Sequence, residues 1–426
     1  MKTSMAPRSV QFPNNFYWGA STSGHQVEGR ATNDWSEWEQ SGARNKALQA
    51  SGQIERYGYK NFVSGIACDH YNRFKDDFVL AKQLGHNATR FSVEWSRIEP
   101  TAGTFDQREI AHYQEVAAFL RDIGIEPFVT LWHWPVPLWL RDKGGWANRE
   151  AATYFERYCK QVVEALSPHV KFWITLNEPE VYAGNSYLAG IWPPQRRNPL
   201  VYLTVLQNLI SAHRRVYIAI KSLDRDSMVG IAKANIFFAP LNNNIGNKAI
   251  ADVADWWWNS YFLNRIERHQ DFIGLNHYLR CILNYGFVGK QEGVALSDLG
   301  WELCPRSIYH VLHDLGLYKK PIYVTEHGVA DAKDNQRARF IVESVFHIGR
   351  AIAGGIDVRG YLHWSLLDNF EWDKGFWPRF GLIQIDYNDL ARIPRRSSQI
   401  YKAICDANGL TEEMAEEYAL DFASCV

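Results

Sequence analysis

The sequence predicts an α/β chain folded as a single (β/α)8 TIM barrel, and three observations carry that expectation. Short runs rich in β-branched and aromatic residues begin near Phe16, Ala88, Pro127, Lys171, Met228, Asp271, Pro321 and Gly360. Apolar residues at helical spacing separate most of these runs. No Pro/Ser-rich linker interrupts the alternation along the 426 residues. Eight alternating units favour a closed barrel over an open sheet. An open doubly wound sheet usually announces a nucleotide with a Gly-rich first turn, and neither GxGxxG nor GxxxxGK with Ser or Thr after it occurs. We expect one domain over residues 1–426, with 1–15 and 411–426 as peripheral terminal segments.

Taken in order, strand 1 is Phe16-Tyr17-Trp18-Gly19-Ala20, leading to His25-Gln26-Val27-Glu28-Gly29. The polar, glycine-containing stretch from Arg44 to Gly65 reads as a long mobile loop. Strand 2 carries Arg90. Arg108 to Ile123 repeats Ile110, Tyr113, Val116, Ala117 and Leu120 at helical spacing. Strand 3 ends in Leu131-Trp132-His133-Trp134-Pro135. A second helix over Ala151 to Leu166 follows from Tyr154, Phe155, Tyr158, Val162 and Val163. Strand 4 ends in Asn177-Glu178-Pro179. Ala251 to Tyr261 has an amphipathic helical pattern, and its Trp256-Trp257-Trp258 is expected to pack rather than touch substrate. Strand 6 ends in Asn276-His277-Tyr278, strand 7 in Glu326 and strand 8 in Trp364. In a barrel of this kind the chemistry sits at these C-terminal strand ends.

Composition narrows the function. Basic and acidic residues nearly balance, 46 against 47, which gives no reason to expect a nucleic acid or an anionic membrane as partner. Met1 to Asn15 is polar without an apolar h-region, and no stretch approaches the length of a membrane span, so a cytoplasmic protein is expected. Cys68, Cys159, Cys281, Cys304, Cys405 and Cys425 are scattered without CxxC spacing and read as reduced thiols with no structural zinc. The histidines lack HxH or HExxH spacing at strand ends, so neither a metal nor another cofactor is expected. Aromatic residues make up 14% of the chain, with 17 Trp. Any one Trp is best read as core, but a cluster beside polar residues at strand ends suits the C–H faces of sugar rings.

Two buried runs stop abruptly at a carboxylate: Phe172 to Asn177 followed by Glu178, and Ile322 to Thr325 followed by Glu326. A charged group at the mouth of a buried strand costs desolvation energy unless something pairs or uses it. Strands 4 and 7 of one barrel bring these carboxylates across a pocket, the minimum machinery for cleaving a glycosidic bond.

These motifs resemble family 1 glycoside hydrolases, the retaining β-glucosidase-like enzymes. The resemblance rests on Tyr17 to Ser23 with Gln26 to Gly29, Arg90 to Ile98, His133-Trp134, Thr175 to Pro179, Asn276 to Tyr278, Val324 to Gly328 and Trp364 to Trp372, in the family's order from about residue 10 to about 410. It implies that Glu178 is the general acid/base and Glu326 the nucleophile of a double displacement. It implies further that Arg90 and Tyr278 supply donors to Glu326, and that Asn276 completes the catalytic set. Gln26, His133, Asn177, Glu371 and Trp372 match the residues that hold the non-reducing sugar, with Trp364 as its floor and Trp134 and Phe380 in the same site. The partners implied are a small β-glycoside and water. A carboxylate at Glu371 argues against a 6-phosphorylated sugar, leaving terminal glucosyl, galactosyl or fucosyl groups. The same residues suit transglycosylation, and a catalytically impaired sugar-binding barrel is the reading from another class.

Two departures matter. The residue after the nucleophile is usually Asn in this family and here is His327; a protonated His327 is expected to lower the pKa of Glu326 and steepen the pH profile. The link Phe262 to Gln270 is shorter than usual, so the barrel wall is expected to be thin or open near the aglycone side.

Overall fold

The β-rich runs become β1 (Tyr17–Ser21), β2 (Ala88–Ser92), β3 (Glu126–Thr130), β4 (Phe172–Asn177), β5 (Met228–Ala234), β6 (Phe272–Asn276), β7 (Ile322–His327) and β8 (Val358–Trp364). A computed structural model describes residues 9–242, 244–285, 287–289, 291 and 293–418. The strands are all parallel, in the order β7-β8-β1-β2-β3-β4-β5-β6, and β6 pairs with β7 to close the barrel. Strands covered on both faces bury nearly all their side chains, which is why they read as apolar runs and not as alternation. Helices Gln107–Asp122 and Ala151–Leu166 lie within a residue of the periodic patterns that announce them. Outside the barrel, Val10–Gln11 pairs antiparallel with Gly409–Leu410, tying the two ends of the described chain together.

The lumen is plugged at its N-terminal half. Ala88, Phe128, Phe172, Ile174, Phe272, Tyr323 and Leu362 pack as one cluster with Tyr17 against it, and the Phe128 and Phe172 rings stack 4.3 Å apart. A filled lower barrel leaves its C-terminal mouth for a pocket.

Two irregularities then aim the polar residues. The β4–β5 register shifts between Ile174 and Asn177, and the β7–β6 register shifts between Val324 and Glu326. Ile174 and Tyr323 belong to the lumen cluster. Strict alternation from them turns Asn177 and Glu326 outward; one extra residue in each strand reverses the phase and points both inward. Just beyond, Gly328 lets β7 and β8 press together: a Cβ there would lie 1.8 Å from the Trp364 carbonyl oxygen.

Two expectations need correction. Residues 44–65 are not a long loop. They fold as helices Gly42–Ala50 and Gln53–Tyr57 and a 3-10 turn Tyr59–Phe62. Ser41 caps the first by accepting from the Arg44 N–H, and Gly52 and Gly58 take positive φ at its junctions. Few apolar anchors (Leu48 and Phe62 are buried) leave the composition looking loop-like. The wall before β6 is also not open at the level of strands, since Ala234 of β5 pairs with Asn276 of β6. The segment folds as helix Tyr261–Ile266 and a 3-10 turn Glu267–His269, with Phe262, Leu263 and Ile266 buried. In the outer layer beside this segment lies a groove of about 710 Å³ lined by Phe237, Asn264, Glu267, Asp314 and Tyr318.

Cys68, Cys159, Cys281, Cys304 and Cys405 are free thiols. Cys425 and residues 1–8 lie outside the described residues. No helix among the described residues is long and apolar enough to cross a membrane.

Candidate active site

A pocket of about 420 Å³ opens at the C-terminal mouth of the barrel. Gln26, His133, Trp134, Asn177, Glu178, Asn276, Tyr278, Glu326, Trp364, Glu371, Trp372 and Phe380 all line it. Arg90 lies behind them, fully buried and bonded to Glu326.

The pocket floor is one hydrogen-bond network. The Arg90 guanidinium donates to Glu326 Oε1, to Asn177 Oδ1 at 2.8 Å and to Thr130 Oγ1 at 2.8 Å. Tyr278 donates to the other Glu326 oxygen at 2.8 Å. Burial pushes the Tyr278 phenol well above its usual range, so its proton stays available for that bond. Both oxygens of Glu326 therefore face donors, one of them a cation.

Glu178 sits in a different environment. It occupies left-handed backbone, φ 42°, between the last β4 residue and Pro179, which opens helix Pro179–Ala183. A non-glycine residue in that region is strained, and such strain gathers at functional sites. Its Oε1 accepts from Asn276 Nδ2 at 2.8 Å, and Thr325 donates to Asn276 Oδ1 at 2.7 Å, holding that amide in orientation. Burial, and next the charge of Glu326, push the Glu178 carboxyl up to about 8. One carboxyl is thus raised by burial beside another that accepts from two donors, a contrast that lets two carboxyls of one pocket do different work.

Asn177 links the two halves and fixes a tautomer. Its Oδ1 takes donors from Arg90 and from Asn276, the latter at 3.0 Å, so its Nδ2 must face His133 Nε2, at 3.0 Å. His133 Nε2 is then an acceptor and the proton resides on Nδ1. Burial and the Arg90 charge push His133 well below the usual histidine range, keeping the ring neutral. Its Nδ1 has no partner among the described residues, a donor awaiting a ligand oxygen.

Around this floor stands an aromatic wall. Trp372, at φ 50°, packs 4.6 Å from Trp134 and near-parallel to His133 at 5.9 Å, while Trp364 faces His133 at 6.1 Å. Gln26 is held by Ser23, Asn369 and the Phe370 carbonyl. Glu371 Oε2 is buried and unpartnered; burial, then Glu326, Asp373 and Glu178, raise this carboxyl to about 8.

His327 does not act as expected. One residue past Glu326, it points out of the barrel, where Nδ1–H donates to the His277 carbonyl and Nε2 meets Ser344 Oγ at 2.9 Å. Burial pushes it down to about 3, so it carries no charge with which to hold Glu326 ionised. Replacing His327 with Asn is therefore expected to leave the acidic limb of the kcat/KM profile where it was. A shift of that limb would restore the charge-based role.

Sequence reasoning missed several residues. Thr130 ends β3, and Asn235 follows β5, the one strand whose end the sequence reading left without a site residue; the strand-end rule could have found both. The packing role expected for Trp256 to Trp258 holds for Trp257, which lies 4.5 Å from the Tyr261 ring. Trp256, half exposed, also packs edge-on against Tyr261 at 5.9 Å, whereas Trp258 lines the pocket from the π turn over Trp256–Ser260.

Comparison of the whole chain with known proteins identifies its family. The glycosyl hydrolase family 1 model matches residues 8–270 and 248–410, the two stretches joining on the short segment before β6. The chain belongs to glycosyl hydrolase family 1. It is 32% identical to a 1,4-beta-D-glucan glucohydrolase of Thermotoga neapolitana, over 94% of this chain and all of that one. It is 30% identical to a beta-galactosidase of Saccharolobus solfataricus, over 95% of this chain and 96% of that one. Among solved structures, a beta-glycosidase from Pyrococcus horikoshii superposes with a TM-score of 0.86 at 34% identity, covering 97% of this chain and 99% of that one. The beta-glucosidase from Thermotoga maritima in complex with glucoimidazole has a TM-score of 0.86 at 29% identity, over 94% of this chain and all of that one. As a family 1 member the protein is a β-glycosidase.

Proposed function

We propose that this pocket removes a terminal, unphosphorylated, glucose-like sugar from small β-glycosides with retention, with Glu326 as nucleophile and Glu178 as acid/base. The observation that carries the assignment is the contrast between the carboxyls. Glu326 accepts from Arg90 and Tyr278, whereas Glu178 is held up at about 8. In the first step Glu178 donates its proton to the glycosidic oxygen as Glu326 attacks the anomeric carbon. In the second, the same Glu178, now a carboxylate, takes a proton from the water that frees the sugar.

The floor suits one hexose. Asn177 serves the 2-hydroxyl, where contacts strengthen at the transition state. The His133 Nδ1–H and Glu371 Oε2 serve further hydroxyls, Gln26 lies beside them, and Trp364 offers an apolar face. Among the described residues that line the pocket, a phosphate on that sugar meets no free cation: Lys374, whose charge reaches Glu371, is paired with Asp373 at 2.6 Å. The five free thiols among the described residues support a reducing, cytoplasmic setting.

A panel of aryl β-glucosides, galactosides and fucosides, with Glu326→Ala as control, tests this reading. Release of aglycone by the native protein and none by the variant is expected, with a 6-phosphorylated aryl glucoside cleaved far more slowly. Equal turnover of the phosphorylated sugar, or activity surviving in the variant, contradicts the assignment.

A further inference from the structure

Glu371 and Trp372, two of the groups assigned to the sugar, ride on a tight turn beyond β8. The Glu371 N–H donates to the Gly375 carbonyl at 2.8 Å, and the Lys374 N–H donates back to the Glu371 carbonyl at 2.9 Å. A 3-10 turn over Trp372–Lys374 fills the space between. Glu371 Oε2 is buried without a partner among the described residues. Where that oxygen points before a sugar arrives is therefore left to the backbone that carries it.

The backbone in question is gripped from outside by the excursion over residues 42–64. Asn61 sits in its 3-10 turn Tyr59–Phe62. The Asn61 side-chain amide donates to the Lys374 carbonyl at 3.1 Å, and both its Oδ1 and its main-chain carbonyl accept from the Phe376 N–H at 3.1 Å. Between those two anchor points Gly375 lies against Asn61. At φ 76°, a Cβ on Gly375 would stand 2.0 Å from the Asn61 carbonyl oxygen, an approach that only glycine permits. Arg44, on helix Gly42–Ala50, donates to the Asp373 carbonyl at 3.0 Å while its guanidinium lies 3.8 Å over the Trp38 ring. Tyr57 stacks on Trp377 with centroids 5.1 Å apart.

A second route from the same excursion reaches Trp372. Glu39 Oε2 accepts from the Ser64 N–H at 2.8 Å and from its hydroxyl at 2.7 Å, and Glu39 Oε1 meets His25 Nε2 at 2.7 Å. The His25 ring lies parallel to that of Trp372, 5.6 Å away. The segment whose composition looks like a loop thus holds the sugar-bearing turn at several points.

We infer that Asn61 is a positioning residue for sugar recognition, which sets through the Lys374–Phe376 backbone where Glu371 meets the hydroxyls of the substrate. This rests on the proposed placing of Glu371 against the sugar and adds the residue that fixes it there. Asn61 does not line the pocket, so it acts through the turn. A carboxylate moved by about 1 Å loses much of a charge-assisted hydrogen bond to a hydroxyl.

The test measures kcat/KM on an aryl β-glucoside and on its three analogues lacking the hydroxyl at C3, C4 or C6. The native protein, Glu371→Ala and Asn61→Ala are compared. The analogue that Glu371→Ala hurts least marks the hydroxyl that Glu371 serves. Asn61→Ala should lower kcat/KM about tenfold or more on the full glucoside, yet by no more than about twofold on that one analogue. Added to Glu371→Ala, it should cost little more than Glu371→Ala alone, since both act on one contact. Asn61→Asp has the same shape but cannot donate to the Lys374 carbonyl. It is the variant to read if Asn61→Ala loses the native circular dichroism spectrum, and the same selective loss is expected of it. An equal fall on all four substrates makes Asn61 merely structural and overturns the proposal, as does activity unchanged on the full glucoside. If Glu371→Ala itself costs nothing on the full glucoside, the placing of Glu371 against the sugar fails, an outcome separable from the others.

Discussion

Glu326→Gly is expected to fold like the native protein and to lose on the order of 10⁴-fold in kcat on an aryl β-glucoside. The side chain removed is held by Arg90 and Tyr278, both of which keep other packing partners. The space it leaves can admit a small anion beside the Arg90 guanidinium. Added azide or formate should therefore restore turnover from an activated aryl glucoside, and with azide the product should be the α-glucosyl azide, because one displacement now replaces two. A β-product from this variant contradicts the assignment of the nucleophile. Loss of the native circular dichroism spectrum means that the variant misfolds, and Glu326→Ala, which leaves nearly the same space, then takes its place in the same assay.

Glu178→Ala is expected to split by leaving group. Aryl glucosides whose phenols leave without a proton should lose little in the first step, while alkyl glucosides should fall about 10²–10⁴-fold, the usual worth of a positioned general acid. Azide should rescue this variant with a β-product, the opposite outcome to Glu326→Gly. The pH profile carries the same information. The Glu178 carboxyl is raised to about 8, so its acid form is present below that pH and lost as pH rises through it. The native kcat/KM should thus decline above about pH 8. Glu371 also titrates near 8, so the limb belongs to the pair, and Glu178→Ala should make it shallower. The same shift has a stability counterpart. Glu178 is raised above its ordinary value of 4.5, so the native fold loses stability as pH climbs from there through about 8. Glu178→Gln should raise Tm little at pH 4 and most above pH 8.

The barrel was legible because its strands are short, β-branched and separated by clean helical periods. Predicted starts at Ala88 and Met228 coincide with β2 and β5, and those at Phe16, Lys171, Asp271 and Pro321 fall one residue before β1, β4, β6 and β7. The excursion over 42–62 was not legible, because its helices are short, mostly exposed and anchored by only a few apolar residues. The inner half of the site could be read from strand ends, since each strand end there delivers one polar or aromatic side chain. Two things escaped. Periodicity alone does not say where an extra residue shifts the phase, so His327 looked like a neighbour of the pocket when Glu326 takes the inward place and His327 the outward one. The outer part of the pocket is lined by Ile191, Trp258 and Trp301, which lie on connections whose course depends on tertiary contacts such as the hydrogen bond from the Lys233 ammonium to the Trp258 carbonyl.

The proposed catalysis rests on a division of labour between two buried glutamates, and labelling tests it directly. A β-glucosyl substrate with an activated leaving group and fluorine in place of the 2-hydroxyl should form the glycosyl-enzyme faster than water can release it. Mass spectrometry of the digested protein is predicted to show one sugar per chain, esterified to Glu326. A label on Glu178, or no covalent adduct from a protein that cleaves the unfluorinated substrate, would contradict it.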